Sequence, residues 1–145
     1  MIKNEKQYRI TKAQVRRFQD AIAELASQVR PANISPRLWG AQRQAAQSQM
    51  GELQEQVEAY ERLQVGKGKE VILDAVEDLP KALIRARIAA GMTQEGLARR
   101  LGVKPQQVQR YEATEYESAS FARIRKVVQA LGLTMPKPVR LVRSG

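Results

Sequence analysis

The sequence contains no cysteine and no histidine, and these two absences exclude several classes of protein. Without cysteine there is no disulfide scaffold, no thiol nucleophile and no sulfur-ligated metal site. Without histidine the commonest general base and the commonest metal ligand are both missing, which excludes serine-histidine triads, zinc hydrolases and zinc fingers. We therefore expect a protein that is not an enzyme and that holds no metal or other cofactor.

One catalytic alternative remains, a nuclease that uses carboxylates alone. Its candidate residues are Glu52, Glu55, Glu58 and Asp74. The three glutamates recur every third residue, and this spacing is more typical of a solvated helix face than of a metal site.

Long apolar runs are also missing. No stretch approaches the roughly 20 apolar residues that cross a bilayer. The N-terminal residues MIKNEKQYRITK lack the apolar segment of a signal peptide. We therefore predict a soluble, cytoplasmic protein without a membrane partner.

Acidic residues are scarce relative to basic ones, especially in the second half of the chain. The 25 Lys and Arg residues against 15 Asp and Glu residues give a net charge of +10. Up to Glu77 the net charge is only +2, whereas from Asp78 onward it is +8. An excess of this kind favours polyanionic partners, nucleic acid first.

The first half of the chain has the apolar spacing of a helical hairpin. In residues 11–30 the apolar residues recur at intervals of three and four, as in a heptad seam, with Thr11 as the expected N-cap and Pro31 as the stop. The seam consists of Val15, Phe18, Ile22, Leu25 and Val29. A second helix restarts at Ser35-Pro36 and runs to about residue 64. The short connection predicts an antiparallel pair.

We predict that this hairpin forms a homodimer, because two seams in one hairpin leave little apolar surface for an independent core and the chain has only seven aromatic residues. The alternative is that it packs on the other half of its own chain. Trp39 is expected to anchor packing or an interface. After the hairpin, GKGK at residues 66–69 predicts a helix stop and a turn, and the β-branched residues in 70–77 slightly favour a strand over a lead-in to a helix.

The second half predicts four helices, three of which end at a glycine. Asp78 is the expected cap of a helix that Gly91 ends, and Thr93 caps a second, shorter helix that ends at Gly102. A third helix opens at Lys104 or Pro105, and the fourth, from about 118 to 131, is expected to bury Phe121, Ile124, Val127, Val128 and Leu131 before Gly132.

The junction of the second and third helices has the pattern of a helix-turn-helix. A small residue at Ala98, a turn at Gly102 and an inward Val108 are what two helices crossing at roughly 90–120° require. With Val108 and Tyr111 inside, the polar residues of the third helix face outward. This leaves Gln106, Gln107, Gln109 and Arg110 on the outside of the third helix, where amide and guanidinium groups are better suited to recognition by hydrogen bonds than to catalysis.

Residues 79–133 resemble the lambda-repressor-like, XRE-type helix-turn-helix domain of phage repressors, Cro proteins and many bacterial antitoxins. The resembling stretches are LIRARIAAGMTQEGLARRLGV, QQVQRYE and the closing helix that ends in QALGL. The run YEATEYESASFARI is similar to antitoxin-like regulators of the HigA type. The resemblance implies an all-α fold that binds double-stranded DNA.

Individual residues carry over from the resemblance. Gln94 matches a position that bonds a DNA phosphate. Gln106 and Arg110 match positions that reach base edges, and Gln107 and Gln109 lie close enough to join them in reading bases. Pro105 departs from the pattern, because an apolar residue stands where a base-reading polar one is common.

Arg87 and Glu112 match a buried structural ion pair. The remaining basic residues of the motif, Arg99, Arg100 and Lys104, are expected to contact phosphates.

The sequence thus predicts an all-α protein in three parts. Residues 1–69 form a helical hairpin for dimerisation or partner binding, residues 70–133 a four- to five-helix DNA-binding domain, and residues 134–145 a basic tail. The tail is expected to be a mobile arm, with a DNA contact and an interface strand as its alternative roles. The leading function is a dimeric, sequence-specific repressor of a palindromic operator. The alternative is an antitoxin that binds a protein toxin through the hairpin and represses its own operon.

Overall fold

The computed structural model describes residues 1–66, 70–143 and 145. These residues form six α-helices and one short 3-10 helix, and no β-strand occurs among them. The α-helices are α1 (Glu5–Ser27), α2 (Pro36–Val65), α3 (Leu79–Ala89), α4 (Gln94–Leu101), α5 (Pro105–Ala113) and α6 (Phe121–Ala130). The predicted all-α fold is confirmed.

The chain divides into two compact units, Met1–Gly66 and Lys67–Gly145. Helices α1 and α2 form the first unit, and helices α3 to α6 belong to the second.

Helix α1 begins and ends earlier than its apolar spacing predicts. Asn4 is its N-cap, since the Gln7 backbone N–H donates to Asn4 Oδ1 at 2.9 Å, and Thr11 lies inside the helix. The helix ends at Ser27, so Val29 lies beyond it and is 91% exposed. The assignments of Thr11 as the cap and of Val29 to the seam are therefore wrong. Apolar spacing marks the packed part of a helix, whereas capping chemistry sets its ends.

Helix α2 begins as predicted, because the Leu38 backbone N–H donates to the Ser35 hydroxyl at 3.2 Å and Pro36 occupies the first turn. It packs along α1 as an antiparallel hairpin, with the Tyr8 ring stacked on Tyr60 at a centroid distance of 5.2 Å. The buried apolar residues of the unit are Ile2, Val15, Val57 and Tyr60. Trp39 is half-buried. Of the turn predicted at residues 66–69, only Gly66, the C-cap of α2, lies among the described residues.

Residues 70–75 form neither helix nor strand, and Val76–Asp78 form the 3-10 helix. The strand prediction is therefore wrong. A strand requires a neighbour whose backbone pairs with it, and no described residue supplies one. Asp78 occupies the N-cap position of α3, but its backbone is already helical and its side chain makes no capping hydrogen bond.

The core of the second unit is drawn from all four of its α-helices. Its most deeply buried apolar side chains, each at most 1% exposed, are Leu83, Ile84, Leu97, Ala98, Val108 and Val127. Phe121 is 73% exposed, so the prediction that it is buried is wrong. Helix α6 starts at its cap, Ser120, two residues later than predicted, which makes Phe121 the first helical residue. A side chain at a helix end has packed neighbours on fewer sides.

Candidate nucleic-acid interface

Helices α4 and α5 are joined by a tight turn centred on Gly102. The backbone of Gly102 is left-handed, with φ 67° and ψ 34°, and the N–H of Val103 donates to the Ala98 carbonyl at 3.0 Å. Glycine adopts this conformation without the steric penalty that a Cβ imposes. Thr93 caps α4 as predicted, since its hydroxyl accepts the Gly96 N–H at 2.9 Å. The predicted turn is confirmed.

Helix α5 has a buried face and an exposed face. Val108 and Glu112 are fully buried. Gln106, Gln109 and Arg110 are exposed, and Gln107 is half-buried. Residues four apart lie on the same side of a helix, so Gln106 and Arg110 form the centre of the exposed face. The structure thus brings the four predicted base-reading residues onto the outside of α5, and their contact with bases remains a prediction.

A buried hydrogen-bond network holds α5 in place. Arg87 Nε and Nη2 donate to the two carboxylate oxygens of Glu112 at 2.5 and 2.8 Å, and both side chains are at most 3% exposed. Arg87 Nη1 also donates to the Met92 carbonyl at 2.7 Å, and Gln94 Nε2 donates to Glu112 at 2.6 Å. The geometry is the buried pair that the resemblance implies. It joins α3, the start of α4 and α5 through a single carboxylate.

Gln94 belongs to this buried network. Its side-chain amide nitrogen is bonded to Glu112, and the residue is 8% exposed. Sequence reasoning assigned Gln94 to a DNA phosphate alone and missed this inward hydrogen bond. A phosphate contact by Gln94 remains a prediction.

The other predicted phosphate-binding residues lie at the surface. Arg99 and Arg100 are exposed in the last turn of α4, and Lys104 is the exposed N-cap of α5. Arg100 Nη1 donates to the Ala130 carbonyl at 2.8 Å, which links α4 to the end of α6. A guanidinium has five N–H donors, so this bond leaves Arg100 other donors for an anion.

The segment after α5 contains a feature that the sequence did not reveal. Glu115 and Tyr116 both have left-handed backbones, with φ 49° and 61°. Tyr116 is buried, its ring stacks on Tyr111 at 6.0 Å, and its N–H donates to the Tyr111 carbonyl at 2.6 Å. Burial, and then the nearby charge of Glu112, raises the pKa of the Tyr116 hydroxyl. Neither residue is glycine or asparagine, so the residue types did not predict a left-handed backbone here.

The described residues contain no group of three or more Asp and Glu side chains placed to hold a metal ion. Of the candidate nuclease carboxylates, Glu58 instead accepts a hydrogen bond from Gln54 at 3.2 Å and lies 3.8 Å from Arg62. No helix in the described part of the chain is both long and apolar enough to span a membrane.

A comparison with protein-family models agrees with this geometry. Residues 83–137, less than half of the chain, match a family model described as helix-turn-helix. Searches of curated proteins and of solved structures gave no match. The match begins inside α3 and runs past the end of α6, and it includes the Gly102 turn, the buried Arg87–Glu112 pair and the exposed face of α5. Residues 83–137 are therefore a helix-turn-helix domain, of the kind by which transcription regulators bind DNA.

Proposed function

We propose that the chain is a sequence-specific transcriptional repressor that binds a palindromic operator as a dimer. The observation that carries the proposal is the exposed side of α5, the helix that follows the Gly102 turn. Gln106 and Arg110 lie four residues apart on this side. A second helix held across a first one is the element that helix-turn-helix proteins place in the major groove.

The exposed side chains suit base reading. A glutamine amide can donate to and accept from the edge of adenine, and an arginine guanidinium can donate to two acceptors of guanine. Each such pair contributes roughly 1–3 kcal/mol of discrimination. Gln107 and Gln109 flank Gln106 and Arg110 and can contact the neighbouring base pairs.

The basic residues around α5 suit the phosphate backbone. Arg99, Arg100 and Lys104 lie at the turn between α4 and α5, and Gln94 lies at the N-terminus of α4. Phosphate contacts orient the domain and carry no sequence information themselves. A cytoplasmic location is part of this proposal.

The dimer follows from how such domains recognise DNA. Two copies related by a two-fold axis present two α5 helices to major grooves about 34 Å apart, which requires an inverted repeat. Occupying such an operator excludes other proteins from it, and repression is the simplest outcome.

Selection of bound fragments from random DNA by the full chain tests the proposal. We expect an inverted repeat whose half-site centres are separated by roughly 10 base pairs or a multiple of that spacing. Fragments without a shared motif would contradict sequence-specific binding, and a motif with a single half-site would contradict the palindromic dimer.

A second candidate function is that of an antitoxin. The first unit has only four buried apolar residues, so its hairpin has surface to offer to a protein partner. In this case the hairpin covers a toxin while the second unit represses the shared operon. Mixing the full chain with the product of the adjacent gene tests the idea. A stoichiometric complex that survives size-exclusion chromatography supports it, and separate elution of the two proteins contradicts it.

A further inference from the structure

The hairpin of the first unit has a groove along one side. Phe18 of α1 and Leu53 of α2 form its apolar floor. The two ridges carry polar residues, Gln14 and Arg17 on α1 and Gln49 and Glu52 on α2. Each helix therefore contributes the same arrangement, which is a glutamine, a charged residue three positions later and an apolar residue next to it. The charges are opposite in the two helices.

The two charged residues of the groove make no ion pair within the described part of the chain. Both Arg17 and Glu52 are exposed. They also lie at the same level of the hairpin. The Tyr8 hydroxyl donates to Glu61 at 2.5 Å, and moving nine residues along each helix from this contact leads to Arg17 on α1 and Glu52 on α2.

We propose that this groove packs against the same groove of a second copy of the chain, with a two-fold axis parallel to the helices. This axis places α1 of each copy over α2 of the other at an unchanged level. Arg17 of each copy then faces Glu52 of the other, and both charges gain a partner. The inference rests on the proposed dimeric function and names the surface that forms the dimer.

The charges distinguish this arrangement from the other face-to-face dimer. A two-fold axis perpendicular to the helices places α1 over α1 and brings Arg17 against Arg17. Juxtaposed like charges disfavour an interface. The groove is thus complementary to itself in only one of the two arrangements.

Because the core of the hairpin is small, apolar surface is left partly exposed, and covering that surface drives dimerisation. Only Ile2, Val15, Val57 and Tyr60 are buried in Met1–Gly66, whereas Phe18, Leu53 and Ile22 are only half-buried. A unit of this size buries a smaller fraction of its surface than a larger domain does, so its stability alone is marginal. Packing two grooves together covers the half-buried floor and produces a four-helix arrangement.

Two charge-reversal variants of the full chain, measured separately and as a mixture, test the proposal. Arg17→Glu and Glu52→Arg each place like charges together twice per dimer. We expect each variant alone to dimerise at least ~10-fold more weakly by analytical ultracentrifugation. An equimolar mixture of the two variants forms a heterodimer in which both cross-copy pairs are complementary. We expect its affinity to return to within ~3-fold of the unsubstituted dimer.

Arg16→Glu and Glu55→Arg are the matched controls, because both residues are exposed on the same helices but do not line the groove. They are expected to leave dimerisation unchanged. Far-UV circular dichroism shows whether each variant keeps its helices. If a charge reversal unfolds the hairpin, Arg17→Gln and Glu52→Gln replace it. Each is expected to weaken the dimer alone, and their mixture is expected to regain part of the affinity, because the heterodimer restores one of the two Arg17–Glu52 pairs.

Three results would overturn the proposal. The first is dimerisation of the single reversal variants with unchanged affinity, and the second is no recovery in the mixture of folded variants. The third is an unsubstituted chain that is monomeric or that binds another protein through the groove. Binding of each variant to a single half-site fragment is measured in parallel. A monomeric chain that still binds DNA selectively rejects the groove dimer alone, whereas a groove dimer without selective DNA binding rejects the proposed repressor.

Discussion

The Arg87 guanidinium and the Glu112 carboxylate form a buried, two-point ion pair between α3 and α5, with N···O distances of 2.5 and 2.8 Å. Glu112 lies on the face of α5 opposite the exposed Gln106 and Arg110. The pair therefore fixes the orientation of the helix that we propose to read bases. Gln94 donates to the same carboxylate, so α4 and α5 share this anchor.

Replacing Glu112 by alanine is expected to reduce the free energy of unfolding of the second unit by about 3–5 kcal/mol, because a buried guanidinium loses its counter-ion. Urea unfolding followed by far-UV circular dichroism measures the change. The control Glu117→Ala removes an exposed carboxylate from the nearby loop, and its effect is expected to stay below about 0.5 kcal/mol. Equal effects of the two substitutions would contradict the structural role of the pair.

Gly102→Ala is expected to destabilise the second unit by about 1–2 kcal/mol, since a Cβ is strained at φ 67°. A Cβ at this position meets no heavy atom within 4 Å, so the cost is conformational and not a clash. Gly51→Ala is the matched control, because Gly51 also has free space around it but lies inside α2. There alanine is expected to stabilise by about 0.5–1 kcal/mol. A neutral or stabilising Gly102→Ala would show that the turn does not require glycine.

Lys104→Ala is expected to weaken binding to the selected operator and to unrelated DNA by similar factors. Lys104 is the exposed N-cap of α5, and we assign it to a phosphate. Loss of one phosphate contact reduces the slope of log K against log salt concentration by about 1. Titrations at several salt concentrations measure that slope. A loss of affinity confined to the operator would instead assign Lys104 to a base.

The Tyr8–Lys12–Glu61 cluster of the hairpin predicts a dependence of stability on pH. Hydrogen bonds from Tyr8 and Lys12 lower the pKa of the Glu61 carboxyl below its ordinary value of 4.5. A lowered pKa in the folded state stabilises above the ordinary value and loses that effect as pH falls through the lowered value. Glu61→Gln is therefore expected to be less stable than the unsubstituted chain at neutral pH, with a difference that shrinks below pH 4.5.

Fluorescence of Trp39, the single tryptophan, follows unfolding of the hairpin that contains this cluster. Glu55→Gln removes an exposed carboxylate from the same helix and serves as the control, with a small effect expected at every pH. If Glu61→Gln kept the same difference from the unsubstituted chain down to pH 3, the carboxylate would not be the source of the effect.

The features that the sequence predicted depend on local chemistry. Ser35 and Thr93 cap helices because their hydroxyls reach backbone N–H groups three residues ahead, and Gly102 adopts a conformation that other residues avoid. The resemblance placed Arg87 and Glu112 together across 25 residues of sequence. Apolar spacing alone cannot locate such a pair.

The features that were missed depend on tertiary context or on weak signals. Asn4 starts α1 before its apolar periodicity begins. Residues 70–77 have strand-favouring side chains, but strand formation needs a partner that spacing does not show. Burial of the Tyr116 ring holds the left-handed backbone at Glu115 and Tyr116. The types of the neighbouring residues do not predict this turn.

The central claim is that the exposed face of α5 reads bases. The most direct test measures affinity for the selected operator and for each single base-pair substitution in its half-site, with the unsubstituted chain, Gln106→Ala, Arg110→Ala and the control Arg125→Ala on α6. We expect Gln106→Ala and Arg110→Ala each to lose about 1–3 kcal/mol of discrimination at particular base pairs, while Arg125→Ala keeps the full pattern. Unchanged discrimination at every base pair in both α5 variants would contradict the account.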